Sequence, residues 1–141
     1  ANLYRRGVSG FVHRLRVRYH ECDAQGIVFN ANHFAYFDVT LTELWREAFG
    51  SYGAMVAQGI DVVVAEASAR FLGPVRFDDE IDVTLRIEHL GTTSIVTAAE
   101  THNVAGDLLV QGSLRHVCVD PETLTKKPLP DAMKSTLRAY R

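Results

Sequence analysis

The stretch RYHECDAQGIVFNANHFAYF, Arg18–Phe37, decides how the rest of the chain is read. It opens on the end of an alternating run, passes through Glu21, Cys22, Asp23 and Gly26, and closes in an aromatic segment with a different period. Upstream, Phe11, His13, Leu15, Val17 and Tyr19 alternate with Val12, Arg14, Arg16 and Arg18, the pattern of a half-buried strand over Phe11–Tyr19. Downstream, Phe34, Phe37, Leu41, Leu44, Trp45 and Ala48 fall on one helical face. Asn30 or Asn32 can cap that helix, and Gly50 and Gly53 can end it. The helix is about twenty residues long, or ~30 Å.

Working outward, four more strands are predicted after Gly59: Val62–Leu72, Glu80–Leu90, Ser94–Asn103 and Leu108–Asp120. They are separated by Gly73-Pro74, Gly91-Thr92-Thr93 and Ala105-Gly106-Asp107. Such short gaps imply antiparallel hairpins. Ile81, Val83, Leu85 and Ile87 alternate with Asp82, Thr84, Arg86 and Glu88, so that strand has one buried and one polar face, whereas VVVA at 62–65 reads as buried on both. Strand, long helix and four strands make an α+β domain; the hotdog type, one long central helix wrapped by a curved five-stranded antiparallel sheet, fits this order, as do other α+β folds with one helix and five strands. Residues 1–141 read as a single domain, with 1–10 an N-terminal extension and 121–141 a tail ending in one short helix.

With 141 residues, 47% hydrophobic and 23% charged, the chain can bury a real core. A formal charge of -2 disfavours nucleic acid as a partner. No run approaches the ~18–20 apolar residues of a membrane span, and ANLYRRGVSG lacks the apolar core of a secretory leader, so the expectation is a cytoplasmic protein with no membrane partner. Cys22 and Cys118 read as reduced thiols, and no Cys/His spacing suggests a metal.

Two motifs now bear on function. RYHECDAQGIVFNANHFAYFD resembles the aromatic, acidic-x-Asp-x-x-Gly-x-Val-aromatic segment of the 4-hydroxybenzoyl-CoA thioesterase family, in its acyl-CoA branch. ARFLGPVRFDDEI resembles that family's second signature, Phe-x-x-Pro before an acidic pair opening the third strand. The resemblance spans about Val12 to Val119. It implies a hotdog fold, homodimers that pair into homotetramers, and hydrolysis of a short- or medium-chain acyl-CoA or an aryl-CoA. Coenzyme A is then part of the substrate, and no separate cofactor is implied.

Thioester hydrolysis requires an attacking group and donors for the developing oxyanion. The resemblance gives the first role to Asp23, as nucleophile or as general base toward water, and the second to the backbone N–H of Asn30 at the helix entrance. Gly26 lets the loop turn between them. Phe29, His33, Phe34, Thr93 and Ser94 are the substrate-side candidates; a lone helical histidine such as His33 also reads as a packing residue, and Asp23 as an ordinary turn residue. Many relatives have His or Tyr at the position of Asn30. Where some relatives carry basic residues for the coenzyme A phosphates, this chain has Gly91-Thr92-Thr93-Ser94, leaving Arg70, Arg76, Arg86 and Arg115 as alternatives. Three further readings stay open: Glu43 as the carboxylate, as in another hotdog branch; a hotdog hydratase or dehydratase, disfavoured because Val28 stands where a histidine is needed; and a non-catalytic binder of acyl-CoA or acyl carrier protein.

Overall fold

The computed structural model describes residues 9–141, so most of the N-terminal extension lies outside the described residues. Strand β1 (Phe11–Arg16) leads through a 3-10 turn (Tyr19–Glu21) and a short ribbon into helix α1 (Asn30–Phe49). A one-and-a-half-turn helix α2 (Tyr52–Ala57) follows, then β2 (Asp61–Phe71), β3 (Glu80–Leu90), β4 (Ser94–Asn103), β5 (Leu108–Val119) and α3 (Asp131–Leu137). The five strands form one antiparallel sheet in the order β1-β3-β4-β5-β2. The hotdog arrangement is therefore present, and two of the four later strands begin and end where the sequence places them.

Helix α1 packs on one sheet face because its apolar residues recur every three or four positions. Tyr36, Phe37, Leu41, Leu44 and Trp45 are buried, and they share one core with Ile81, Val83, Leu85 and Ile87 of β3 and Ile95 of β4. Each such side chain contributes roughly 1.5–3 kcal/mol by leaving water. The close approach depends on Gly112 of β5, where a Cβ would lie 2.8 Å from the Phe37 ring. Gly50 ends the helix in the left-handed region, at φ +89°, with its N–H on the Arg46 carbonyl. In the tail, Leu129, Met133, Leu137 and Tyr140 close the core, and the Tyr140 hydroxyl donates to Glu47 Oε2 at 2.8 Å.

Four expectations need correction. Neither Asn30 nor Asn32 caps α1 through its side chain: the N-cap residue is Phe29, and Asn32 Nδ2 donates instead to the Glu21 carbonyl at 2.7 Å. Gly53 lies inside α2, which Ser51 caps by accepting from the Ala54 N–H. Tyr19 leaves the strand face for the 3-10 turn and is 81% exposed. The 62–65 run is not buried on both faces, since β2 is a sheet edge paired only with β5, and Val63 and Val64 are 38% and 55% exposed.

Candidate active site

Between the 3-10 turn and α1 the backbone folds back on itself as a miniature ribbon. Cys22 bridges Val28, the Asp23 N–H donates to the Ile27 carbonyl at 2.8 Å, and the Phe29 N–H donates to the Glu21 carbonyl at 3.0 Å. Asp23 thus sits at the turn end of the ribbon and Asn30 at its helix end. Gly26 closes the turn at φ +71°, a conformation that favours glycine, and its N–H reaches the Asp23 carbonyl. The opposite wall is the segment after β2: Val28 N–H bonds the Val75 carbonyl, Ile27 bridges Arg76, and Phe77 N–H bonds the Gly26 carbonyl. Pro74 sets up this second segment, so the two sequence motifs pair through their backbones.

The Asp23 carboxylate is exposed, and one oxygen, Oδ1, accepts from the Gln25 N–H at 2.8 Å and the Ile27 N–H at 3.3 Å. That is an Asx turn, which fixes the carboxylate's direction. At the other end, the first N–H groups of α1 cannot bond within the helix. Those of Asn30 and Ala31 have no acceptor among the described residues, whereas the Asn32 N–H is used by the Phe29 carbonyl. Positive dipole and free donors therefore meet at Asn30.

Asn30 and His33 line a cleft of about 220 Å³ with Ile27, Val28, Phe71 and Leu72. The remaining candidates are dispersed. Phe29 is 56% exposed beside the cleft, and Phe34 packs edge-on against Phe37, with centroids 6.1 Å apart. Thr93 and Ser94 belong to the β3–β4 hairpin, where the Thr93 carbonyl accepts from Cys118 N–H and Ser94 closes the turn with Gly91. Within one protomer they do not line this cleft. Of the arginines, Arg115 pairs with Glu66 at 3.7 Å and Arg86 borders a depression on the outer sheet face, but Arg76 is exposed on the segment bonded to the Asp23 ribbon. Two larger depressions, of about 440 and 650 Å³, lie on the outer sheet face and along β1. Among their charged side chains, Arg14 pairs with Asp82 and Arg16 with Glu80.

Sequence reasoning missed one link. Glu21 is not a free turn acid: it accepts from the Arg18 N–H at 2.7 Å and from the Tyr36 hydroxyl at 3.0 Å, tying the ribbon to the second turn of α1. Burial, and then the Glu21 charge, hold the Tyr36 phenol above its ordinary pKa, so it remains a donor. An acid a few residues after a strand, followed by a helical tyrosine, is too common a pattern to reveal this. Cys22 is less reactive than a free thiol, since burial and then the charges of Asp23, Glu21 and Asp79 push its pKa up. Among the described residues there is no group of three or more metal-ligating side chains, and no helix is long and apolar enough to cross a membrane.

Known proteins share this architecture. The acyl-CoA thioester hydrolase YbgC of Escherichia coli is 29% identical over 119 residues, 84% of this chain and 89% of that protein. A 1,4-dihydroxy-2-naphthoyl-CoA hydrolase of Thermosynechococcus vestitus is 26% identical over 128 residues, 87% of this chain and 85% of that protein. Among solved structures, a hypothetical protein from Thermus thermophilus superposes with a TM-score of 0.84 at 26% identity, over 93% of this chain and 99% of that one. The thioesterase superfamily itself matches residues 25–110, from the turn of the ribbon through α1 and most of the sheet. With that span covering more than half of its length, the chain belongs to the thioesterase superfamily.

Proposed function

We propose that this protein hydrolyses the thioester of a short- or medium-chain acyl-CoA or an aryl-CoA, with Asp23 as the catalytic carboxylate and the Asn30 N–H polarising the thioester carbonyl. One observation carries the reading: a single ribbon presents a carboxylate fixed through Oδ1 at one end and unsatisfied helix N–H groups at the other. The named relatives, which act on coenzyme A thioesters, support the substrate class.

In the water route, Asp23 takes a proton from water as its oxygen bonds the carbonyl carbon. The oxyanion is held at the helix start, the C–S bond then breaks, and the proton passes to the departing thiolate, giving acid and free thiol. In the alternative, an Asp23 oxygen itself bonds the carbonyl carbon and expels the thiolate. Water then opens the resulting anhydride. Val28, buried at 1%, offers no side-chain acid or base for the hydratase alternative.

The protein is further proposed to work as a homodimer joined through β2, and as a tetramer built from such dimers. An eleven-residue edge strand carrying exposed Val63, Val64 and Phe71 leaves both its ladder groups and its apolar side chains uncovered. Phe71 also walls the cleft, so such an interface would run up to the site.

The test is thiol release from short-, medium- and aryl-CoA substrates by wild type and Asp23→Asn. Loss of about a thousandfold or more in the mutant is expected. Equal rates would make Asp23 a turn residue and leave a helix carboxylate such as Glu43 to carry the reaction, and no turnover of any substrate by wild type would leave a binding protein instead. Heavy oxygen from labelled water appearing in Asp23 during single turnovers would establish the anhydride route, because the water route puts the label only in the product acid.

A further inference from the structure

Glu21, two residues before Asp23, is anchored to three successive points at the start of α1. Its carbonyl accepts from the Phe29 N–H at 3.0 Å and from Asn32 Nδ2 at 2.7 Å, and its Oε1 accepts from the Tyr36 hydroxyl at 3.0 Å. Oε1 also takes the Arg18 N–H at 2.7 Å, so the same atom reaches back to the segment leaving β1. Beyond Glu21, Cys22 bridges Val28 and the Asp23 N–H bonds the Ile27 carbonyl. The arm that carries the Asp23 carboxylate is therefore tied to the helix that carries the Asn30 N–H, and not only to the turn at Gly26.

Glu21, Asn32 and Tyr36 do not line the cleft at the helix start. Asn32 and Tyr36 stand one turn apart on a single face of α1, turned roughly 200–240° about the axis from Asn30. Glu21 and Tyr36 wall the larger depression along β1 instead. Tyr36 is 3% exposed, and its ring is held edge-on at 5.7 Å by His33, whose Nδ1 is itself buried without a partner among the described residues. A fixed ring gives the hydroxyl a fixed origin, and burial with the Glu21 charge keeps it protonated. For cohesion alone such a pair offers little, since exchanging both partners of a buried hydrogen bond for apolar groups of the same shape is nearly neutral. What the pair adds is direction, because a hydrogen bond constrains angle as well as distance.

We infer that Tyr36 and Glu21 are positioning residues for the reaction: the hydroxyl, by holding the Glu21 carboxylate, sets the separation and angle between the Asp23 carboxylate and the Asn30 N–H, so that both act on one thioester carbonyl. This rests on the reading above that Asp23 is the catalytic carboxylate. Neither residue touches substrate, and each acts through Asp23. Without the hydroxyl, Asn32 and backbone bonds alone hold the arm to the helix. A displacement of about 1 Å at the reacting atoms costs on the order of a hundredfold in rate.

The experiment follows thiol release from butyryl-, octanoyl- and benzoyl-CoA, and calorimetric binding of the non-hydrolysable thioether of whichever is turned over fastest. Wild type is compared with Tyr36→Phe, Glu21→Leu, Glu21→Gln, Asp23→Asn and the double variant Y36F/D23N. Tyr36→Phe keeps the ring and loses only the hydroxyl, so kcat should fall roughly tenfold to a hundredfold while thioether binding stays within about threefold. Glu21→Leu should lose at least as much, and Glu21→Gln, whose amide oxygen still accepts, should recover most of that loss. In the Asp23→Asn background, Tyr36→Phe should change the residual rate by less than about threefold, since its effect passes through a carboxylate already gone. A purely structural role would lower the rate by the same factor in both backgrounds. That result, or Tyr36→Phe with the wild-type kcat while Asp23→Asn is inactive, overturns the inference and leaves the catalytic reading standing. So does Glu21→Gln as inactive as Glu21→Leu, which makes the Glu21 charge itself the working group. Asp23→Asn at the wild-type rate, or no turnover by wild type, overturns the catalytic reading and the inference with it.

Discussion

β3 and β2 are both eleven-residue antiparallel strands in the same sheet, and they solve the problem of apolar surface differently. β3 lies between β1 and β4. Its inward residues Ile81, Val83, Leu85 and Ile87 are at most 2% exposed, while outward Asp82 is gripped by Arg14 through Nε at 2.8 Å and Nη2 at 2.9 Å. β2 has a ladder on one side only, and Val63, Val64 and Phe71 are 38%, 55% and 44% exposed. The strand that looks most hydrophobic in the sequence is thus the less covered one. β3 is completed by its own chain, whereas β2 carries apolar side chains that only another surface can cover.

The largest effect should come from breaking the completed strand. Leu85 is fully buried against α1 and its sheet neighbours, so Leu85→Ala should lower unfolding free energy by about 2–5 kcal/mol, read from denaturant unfolding. The equivalent truncation Val64→Ala on β2, measured on the isolated protomer, should cost a fraction of that. If the two costs were similar, the contrast between the strands would collapse.

Next in size is the contact that lets the helix approach the sheet. Gly112→Ala would place a methyl 2.8 Å from Phe37 Cε2 and 2.9 Å from the Ser68 carbonyl, one a fully buried ring and the other backbone. Overpacking of this kind costs about 1–3 kcal/mol. A thermal melt should drop accordingly, and a further truncation, Phe37→Leu, should relieve part of the clash.

A smaller effect follows from two buried histidines. Desolvation lowers the pKa of His33, and lowers that of His116 against an opposing pull from the Asp38 carboxylate. The folded form therefore resists protonation that the unfolded chain accepts near pH 6.5. Stability from these residues is fully present above that pH and is lost as the pH falls through the lowered folded values. Melting temperature should decline below about pH 6.5, and His116→Gln should flatten the decline. At the alkaline end, Tyr52 is held up to about 12, first by its hydrogen bond to Asp61. Its contribution is fully present below the ordinary value of 10.0 and is lost as the pH climbs through the raised value of about 12, a loss that Tyr52→Phe should abolish.

What the sequence discloses divides along the same line as the two strands. The bounds of β3 and β4 are legible because a ladder on both sides imposes strict alternation and because tight turns at Gly91 and Gly106 punctuate it. The helix is legible from its one-sided apolar spacing, and the Asp23 turn from Gly26, whose φ of +71° suits no other residue as well. The exposed run at 62–65 is misread because hydrophobicity states that a side chain needs cover, not whether its own chain supplies it. The Glu21–Tyr36 bond and the unpaired His33 nitrogen are invisible for a related reason: each depends on neighbours brought together only by tertiary packing, Tyr36 across the ribbon and Phe71 at the end of β2. Local propensity has no signal for either.

The smallest expected change in folding carries the most information about β2. Val64 is 55% exposed at the sheet edge, next to the bulge that separates it from Glu66 in the pairing with β5. A lysine there removes little buried surface from the protomer, so Val64→Lys should leave the protomer's unfolding free energy within about 0.5 kcal/mol. Two such strands brought edge to edge would instead confront each other with like charges in a desolvated seam, the device by which natural sheets block edge pairing. Sedimentation or light scattering should then find wild type as a dimer or tetramer and Val64→Lys shifted toward monomer, with thiol release falling in parallel because Phe71, on the same edge strand, also lines the cleft. A wild type that is monomeric at micromolar concentration would mean that β2 stands uncovered in solution. A variant that dissociates yet keeps full activity would mean that one protomer's ribbon, helix start and cleft suffice for the reaction.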